Sequence, residues 1–225
     1  SLAIHGLFEP KAPLSMSTIN LFYLLGALVI GYLLGRSRVS PFQNHGEALV
    51  CRELQANFFG PDYHLLNHIT LKLKDGTTQI DHILVSRFGV FVIETKDYKG
   101  WIFANAKHAT WTQVLYRWKF KFRNPIFQNM RHMQAVTELL DFLPKEVIKP
   151  LVVFVGQAEF KTEMPKGVFK LKEMTDHLKS QTDEVMTLNR MQFCVGRLET
   201  ARLAVTGQTD LEHVESLQRR HGKVP

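Results

Sequence analysis

The spacing of apolar residues between positions 46 and 96 predicts one helix followed by three strands. Apolar residues recur near helical spacing over residues 46–58, which indicates an amphipathic helix. Period-two alternation and the turn residues Asp75-Gly76 then predict strands at residues 65–73, 77–86 and 89–96. We therefore expect a helix packed against a sheet in this part of the chain.

The pattern continues with further strands, a helix and a buried strand. Residues 101–104 and 110–122 are strand-like, and a helical pattern begins after Pro125 and covers residues 127–142. Residues 150–156 form an almost purely apolar run, which is typical of a central strand buried on both faces. The order of elements predicts an α/β fold in which helices flank a mixed sheet.

The C-terminal part gives a pattern but no chemistry. Two helices are predicted there, over residues 187–204 and 210–220. We interpret residues 158–225 as a mostly helical extension without an assigned function.

A long uncharged segment near the N-terminus predicts a transmembrane helix. Residues 15–35 carry no charge, and a helix of this length rises about 30 Å, enough to cross the hydrocarbon core of a bilayer. We expect a lipid-embedded anchor at residues 16–36, with a cleaved signal peptide as the alternative. Arg36 and Arg38 follow it, so a single-pass protein with its N-terminus outside and the rest of the chain in the cytoplasm is predicted. Residues 1–15 are interpreted as leader or expression-derived residues, and residues 37–44 as a linker.

Composition narrows the partners without identifying them. The net charge is +7 and the isoelectric point is near 9.4, which favours an anionic partner, either nucleic acid or anionic lipid. The two cysteines, Cys51 and Cys194, have no metal-binding spacing, and a buried thiol is expected rather than a disulfide. We find no glycine-rich phosphate loop and no serine or cysteine triad in the sequence.

The predicted second and third strands carry acids inside apolar sequence. Asp81 lies in the first of them, and Glu94 and Lys96 lie two residues apart in the second. Side chains alternate along a strand, so Glu94 and Lys96 share one face. An aspartate beside Glu-x-Lys is the layout of a metal-dependent phosphodiesterase, and a surface salt bridge at the end of a hairpin is the alternative.

Several short motifs follow one another in a fixed order over residues 45–157. They are Gly46-Glu47, Asp81-His82, Gly89-Val90-Phe91-Val92-Ile93-Glu94-Thr95-Lys96, Tyr98-Lys99-Gly100, Trp111 and Asn124-Pro125…Gln128. Together these motifs resemble the nuclease-related domain (NERD) family. The resemblance implies a domain over these residues that is similar to the restriction-endonuclease-like PD-(D/E)XK superfamily, with Mg²⁺-dependent cleavage of nucleic acid. Ile80 stands where the superfamily name has proline.

On this basis we assign provisional roles around a Mg²⁺ ion, with Mn²⁺ as a substitute. Asp81 and Glu94 are the expected direct ligands, because Mg²⁺ prefers hard oxygen donors and retains waters. The resemblance adds the carbonyl of Thr95 as a further ligand. Lys96 is expected beside the attacking water or the phosphate, where it stabilises developing negative charge.

Four residues around this group have two interpretations each. Glu47 is a third acidic ligand or an acid that complements the helix dipole. Gln128 orients water or contacts DNA, as the resemblance implies, or is a solvated residue at a helix start. His132 follows one turn later on the same face, and its role stays open. His82 is expected on the opposite sheet face as a satisfied histidine rather than a ligand.

Residues 116–123 alternate strictly between aromatic and basic side chains. As a strand, this segment separates an aromatic face from a cationic face. The cations predict a groove that follows a nucleic-acid backbone, and the alternative is an amphipathic strand that buries four rings and leaves its charges solvated. The proposed nucleic-acid-binding residues are Arg117, Lys119, Lys121 and Arg123.

The predicted function is a membrane-anchored, Mg²⁺-dependent nuclease with little sequence preference, which acts on DNA rather than RNA. One alternative is a nucleic-acid-binding module of the same fold without turnover. Another is a membrane-anchored interaction protein whose positive charge faces lipid. The sequence carries no indication of oligomeric state.

Overall fold

A computed structural model describes residues 45–202 of the chain. Four α-helices and nine β-strands form within these residues, and one 3₁₀ turn, Lys145–Val147, precedes β7. The helices are α1 (His45–Asn57), α2 (Pro125–Leu139), α3 (Leu171–Lys179) and α4 (Leu188–Ala201). The strands are β1 (Tyr63–Leu73), β2 (Gly76–Ser86), β3 (Gly89–Asp97), β4 (Gly100–Phe103), β5 (Thr110–Leu115), β6 (Trp118–Arg123), β7 (Ile148–Val155), β8 (Ala158–Phe160) and β9 (Val168–Lys170).

A five-stranded mixed sheet in the order β1-β2-β3-β7-β9 forms the centre of the fold. The first three strands are antiparallel, and β7 and β9 add to β3 in parallel. Helices cover both faces of this sheet. One face packs on α2 and α4, and the other packs on α1 and α3. Because β3 and the second half of β7 are covered on both sides, their sequences are almost continuously apolar.

A second, four-stranded sheet in the order β6-β5-β4-β8 begins directly after β3. Its inner face carries Ile102 and Trp111, which pack with Val152 and Phe154 of β7. The Trp111 ring stacks on the Phe154 ring with their centroids 6.1 Å apart. Gly100 starts β4 at φ +78°, and a Cβ there would clash with the carbonyl oxygen of Val114, which explains the glycine.

The predicted α/β class is confirmed, but the prediction of a single mixed sheet is wrong. The later strands form the second sheet, and residues 110–122 are two strands rather than one. The break is a tight turn at Tyr116-Arg117, where Tyr116 has φ +56°. Part of the predicted C-terminal extension also belongs to the sheets, since β8 and β9 pair with β4 and β7. The predicted helix at 210–220 lies outside the described residues.

The predicted membrane localisation is contradicted and we withdraw it. Within residues 45–202, no helix is long and apolar enough to cross a bilayer. The proposed anchor at 16–36 lies outside the described residues.

Candidate active site

The strands β2 and β3 separate at the position of the predicted acids. Their ladder ends at the pair His82 and Ile93, so the next pair in register would be Asp81 and Glu94. Instead of a backbone partner, the N–H of Thr95 donates to Oδ2 of Asp81 at 2.7 Å. Beyond this point each strand stays paired only with its other neighbour, β2 with β1 and β3 with β7. The Asp81 carboxylate therefore lies where the two strands diverge.

Helix α2 is fixed above this divergence by two asparagines at its start. Asn124 caps the helix, because its side-chain oxygen accepts from the N–H of Ile126, and its amide donates to the loop carbonyl of His108 at 2.8 Å. Asn129 is fully buried and donates to the carbonyls of Val92 and Leu151, at 3.0 and 2.8 Å. In the β3–β7 ladder Val92 faces Pro150, which has no N–H to donate. These bonds turn the helix face that carries Gln128 and His132 towards the site.

Glu94 is almost completely buried, with 2% of its side chain exposed, and each carboxylate oxygen has a partner. Oε1 accepts from Nζ of Lys96 at 2.5 Å, and Oε2 lies 2.8 Å from Nε2 of His132. Nδ1 of His132 is in turn 2.7 Å from the hydroxyl of Thr78. Burial alone raises the pKa of Glu94, but the His132 hydrogen bond and the Lys96 charge outweigh it, so that the pKa is lowered. Glu94 is thus held as a carboxylate.

Lys96 connects the strand to the helix. Its Nζ donates to Glu94 and also to Oε1 of Gln128 at 3.1 Å. Burial by itself lowers the pKa of Lys96, but the carboxylates of Glu94 and Asp81 reverse this and raise it. The lysine is therefore a fixed cation, 17% exposed, between two side chains that the sequence placed 34 residues apart.

Asp81 experiences the opposite environment. Burial and the nearby charge of Glu94 raise its pKa well above the ordinary range, and Glu47 adds to the repulsion, while the Thr95 N–H and Lys96 oppose the increase. Glu47 lies in the first turn of α1, is 8% exposed, and has its Oε2 at 3.5 Å from Nδ1 of His68. The charges of two acids, Glu94 and Glu47, thus act on Asp81, and a bound cation would relieve the repulsion among the three carboxylates.

The donor set suits Mg²⁺ in its chemistry. Asp81, Glu94 and Glu47 provide hard carboxylate oxygens, and Mg²⁺ commonly takes one or two carboxylates and keeps several waters. Within residues 45–202, no three His, Cys, Asp or Glu side chains converge closely enough to form a ready metal cluster. The fit therefore rests on an Asp81 and Glu94 pair rather than on a complete protein cage.

Two histidines lie beside the site. The sequence predicted a structural role for His82 and assigned no role to His68. His82 is fully buried, and its Nδ1 lies 2.7 Å from Oδ1 of Asn67. Burial and the nearby His68 lower the pKa of His82 to about 3, so it is a neutral core residue. His68 of β1 and Asp81 of β2 fall between two paired positions of the β1–β2 ladder, and His68 adopts φ +52°, which is uncommon for a residue other than glycine. Its contact with Glu47 marks it as a support of that acid, and no spacing pattern in the sequence indicated this.

The predicted nucleic-acid-binding cations lie elsewhere, on the edge of the four-stranded sheet. Arg117 is in the β5–β6 turn, and the other three project from β6, with all four exposed. The alternative that the aromatic side chains of this segment are buried is wrong for three of the four rings. Tyr116, Trp118 and Phe120 are at least half exposed, whereas Phe122 packs edge-on against Tyr98 with 4.6 Å between ring centroids. Tyr98 is two residues beyond Lys96, so the end of this hairpin is close to the site in the fold.

The fold and the site define an α/β protein with a carboxylate–lysine centre where two central strands separate. The nuclease-related domain model matches residues 43–155, about half of the chain, and the chain belongs to that family. The resemblance seen in the sequence is confirmed, and an association with PD-(D/E)XK-like nucleases is a general property of the family. The chain is also 32% identical over 189 residues to an uncharacterised protein of Bacillus anthracis, across 79% of this chain and 84% of that protein. No solved structure matches the chain.

Proposed function

We propose that this protein is a metal-dependent nuclease that hydrolyses phosphodiester bonds at the Asp81–Glu94–Lys96 centre. The observation that carries the proposal is the position of Lys96, a partly buried cation held between Glu94 and Gln128 beside Asp81. A purely structural role does not require a lysine with two fixed acceptors next to an acid whose pKa is raised. Membership of the nuclease-related domain family supports the same class of activity.

Asp81, Glu94 and the carbonyl of Thr95 are the proposed ligands of Mg²⁺, for which Mn²⁺ is the expected substitute. The bound ion supplies Lewis-acid activation of water and charge neutralisation at the phosphate. Glu94 is prepared for this role because His132 keeps its carboxylate oriented and ionised. Glu47 is the proposed third acid, whose charge raises the pKa of Asp81 and which would act on the ion through its bound waters.

Lys96 is proposed to stabilise the negative charge that develops on the phosphate oxygens. Fixed donors in a site that excludes water are worth more than donors in solvent, because they need no reorganisation during the reaction. The side-chain oxygen of Gln128 accepts from Nζ of Lys96, and the N–H groups of its amide are proposed to orient the attacking water. His132 acts on Glu94 and is a positioning residue.

DNA is the substrate that we propose, with binding supported by the cations of the β5–β6 hairpin. Arg117, Lys119, Lys121 and Arg123 are all exposed and no acidic residue interrupts them between 116 and 123. Lysine and arginine that neutralise phosphates release counterions, so binding is expected to weaken steeply as salt is added. The hairpin contains no recognisable element that reads base edges, so little sequence preference is expected.

The test is cleavage of supercoiled plasmid and end-labelled linear DNA by the full chain in Mg²⁺, Mn²⁺ or EDTA, beside an Asp81→Asn variant. Metal-dependent cleavage that the variant lacks supports the proposal, and the plasmid forms distinguish nicking from end trimming. Salt-sensitive retention of DNA without cleavage by the wild-type protein would instead favour a binding module. Cleavage that persists in Asp81→Asn, or in EDTA, would remove this centre from the reaction.

A further inference from the structure

The outer face of the four-stranded sheet presents aromatic rings that no element among the described residues covers. Alternation along β4 turns Ile102 inward, where it is fully buried, and turns Trp101 and Phe103 outward. These two rings are 48% and 39% exposed. Two large aromatic side chains on one face of one strand form an exposed apolar surface, and such surfaces commonly mark interaction sites.

Lysines form a second row on the same outer face. The register places Trp101 opposite Val114 and Val114 opposite Lys119, and it places Phe103 opposite Thr112 and Thr112 opposite Lys121. Each ring is therefore aligned with one lysine, two strands away, which corresponds to about 10 Å. Along each strand the two members of a row are about 7 Å apart. The short side chains of β5 leave a shallow track between the rows.

We propose that this face binds single-stranded nucleic acid, with bases stacked on Trp101 and Phe103 and phosphates neutralised by Lys119 and Lys121. Aromatic rings bind unpaired bases by stacking, and adjacent cations follow the backbone. A duplex hides its base faces, so it can use the lysines but not the rings. The proposal deepens the nuclease function proposed above and rests on it for its biological meaning.

The remaining charges on this face are compatible with that occupant. Nζ of Lys161 lies 4.8 Å from the centre of the Trp101 ring, and this lysine also pairs with Glu159 of β8. A stacked base would replace Lys161 over the ring, and the displaced ammonium would then be free to contact a phosphate. Glu159 is the acidic residue that the four described strands place on this face, and its pairing with Lys161 limits its repulsion of a nucleic-acid backbone.

This binding face, called the platform below, is connected to the candidate active site by a short segment of chain. Trp101 follows Lys96 by five residues, so their Cα atoms are at most about 18 Å apart. A strand bound along the aromatic row therefore begins within a few nucleotides of the reacting centre. This continuity favours nucleic acid over a lipid surface as the occupant, although lysine and tryptophan also occur at membrane interfaces.

The experiment measures binding of fluorescein-labelled oligothymidylate of about 20 nucleotides to the full chain in EDTA, by anisotropy. Oligouridylate, a DNA duplex of the same length and phosphatidylglycerol vesicles form parallel arms. The test variant is the double substitution Trp101→Ala with Phe103→Ala. The matched control is Trp118→Ala with Phe120→Ala, which removes two exposed aromatic rings from the opposite face of the same sheet.

We expect the test variant to bind oligothymidylate at least about 25-fold more weakly, since each lost stack weakens binding about fivefold or more. Duplex binding should fall by less than about threefold in the same variant, and the control should retain oligothymidylate binding. Lys119→Ala with Lys121→Ala should reduce the slope of log affinity against log salt by about 1.4. The oligouridylate arm decides whether RNA and DNA strands share the platform.

Unchanged oligothymidylate binding in the test variant would overturn the proposal, as would equal losses for duplex and single strand. Vesicle binding that depends on Trp101 and Phe103, with no effect on oligothymidylate, would assign the face to lipid instead. Because binding is measured in EDTA, this result is independent of cleavage. If single-strand binding depends on Trp101 and Phe103 but the protein does not cleave DNA, only the proposed nuclease function fails. If the protein cleaves DNA but single-strand binding does not depend on these rings, only the proposed binding face fails.

Discussion

Residues 45–202 contain two Glu-x-Lys segments, one within β3 and one that starts in β8 and ends just beyond it, and the structure gives them opposite environments. Glu94 and Lys96 of β3 form an ion pair with side chains only 2% and 17% exposed, whereas Glu159 and Lys161 pair at the surface with 61% and 33% exposed. The first pair also contacts His132 and Gln128 and lies beside Asp81. The second has Trp101 as its neighbour. The Glu-x-Lys motif alone therefore does not indicate a functional site.

What distinguishes the two pairs is the cost of burial. An exposed pair is screened by water and contributes little to stability, so nothing forces its surroundings to be organised. A buried pair must be hydrogen-bonded on every side or it destabilises the fold. The contacts that surround Glu94 and Lys96 are for this reason stronger evidence of a functional centre than the spacing of the two residues.

The largest expected effect is on catalysis. Lys96→Ala should reduce the rate of cleavage about 10²–10³-fold, because a fixed cation at the phosphate is lost. Single-turnover cleavage of plasmid DNA measures this. The control is Lys149→Ala on β7, since Lys149 also donates to a glutamine, Gln181, at 2.6 Å but lies elsewhere on the sheet. Equal rates for Lys96→Ala and wild-type protein would exclude Lys96 from the mechanism.

The next effect concerns stability and compares the two glutamates directly. Glu94→Ala should lower the free energy of unfolding by about 3 kcal/mol, because Lys96 and His132 lose a buried partner. The value is placed at the low end of the usual range, since Asp81 simultaneously loses a like-charged neighbour. Glu159→Ala should change it by less than about 1 kcal/mol. Urea unfolding in EDTA measures both changes. Similar losses of unfolding free energy in the two variants would contradict the difference that we infer between the two ion pairs.

The sequence predicted Asp81, Glu94 and Lys96 together because strand alternation and register are local properties. It left His132 undecided, since its bond to Glu94 depends on how α2 packs on the sheet. The sequence also left open whether the rings of residues 116–123 are buried, because alternation cannot decide this. Alternation shows which side chains share a face, but whether that face is covered depends on distant elements, and β6 is an edge strand. For the same reason, the outward direction of Trp101 was invisible without its partners.

The third prediction compares two histidine–carboxylate contacts with the same contrast in burial. His132 and Glu94 are 4% and 2% exposed, whereas His45 and Asp97 are 74% and 27% exposed at 3.3 Å. His132→Ala should lower the free energy of unfolding by about 2 kcal/mol, because Oε2 of Glu94 and the hydroxyl of Thr78 each lose their hydrogen-bond partner. His45→Ala should cost less than about 0.5 kcal/mol. Thermal and urea unfolding of the two variants decide this, and a larger loss for His45→Ala would contradict it.

The smallest effect has the opposite sign and comes from Asp81. Its pKa in the folded protein lies above the unfolded value of about 3.9, because burial and Glu94 disfavour its charged form. The folded state therefore binds more protons than the unfolded state between these two pKa values. Stability falls as pH rises through that window and stays reduced above it. Asp81→Asn removes this penalty and keeps an oxygen that can accept from the Thr95 N–H.

In EDTA at neutral pH, Asp81→Asn should therefore be more stable than the wild-type protein by roughly 0.5–2 kcal/mol. The difference should shrink to zero as pH is lowered below about 4, where Asp81 is protonated in both states. Glu94 cannot produce this pattern, because its lowered pKa stabilises the folded state at neutral pH and that stability is lost as pH falls. Urea unfolding across pH tests the argument, with the same substitution at an exposed aspartate, Asp183→Asn, as the control. A variant that is less stable than wild type at neutral pH would mean that the acids around Asp81 do not repel one another as the fold implies.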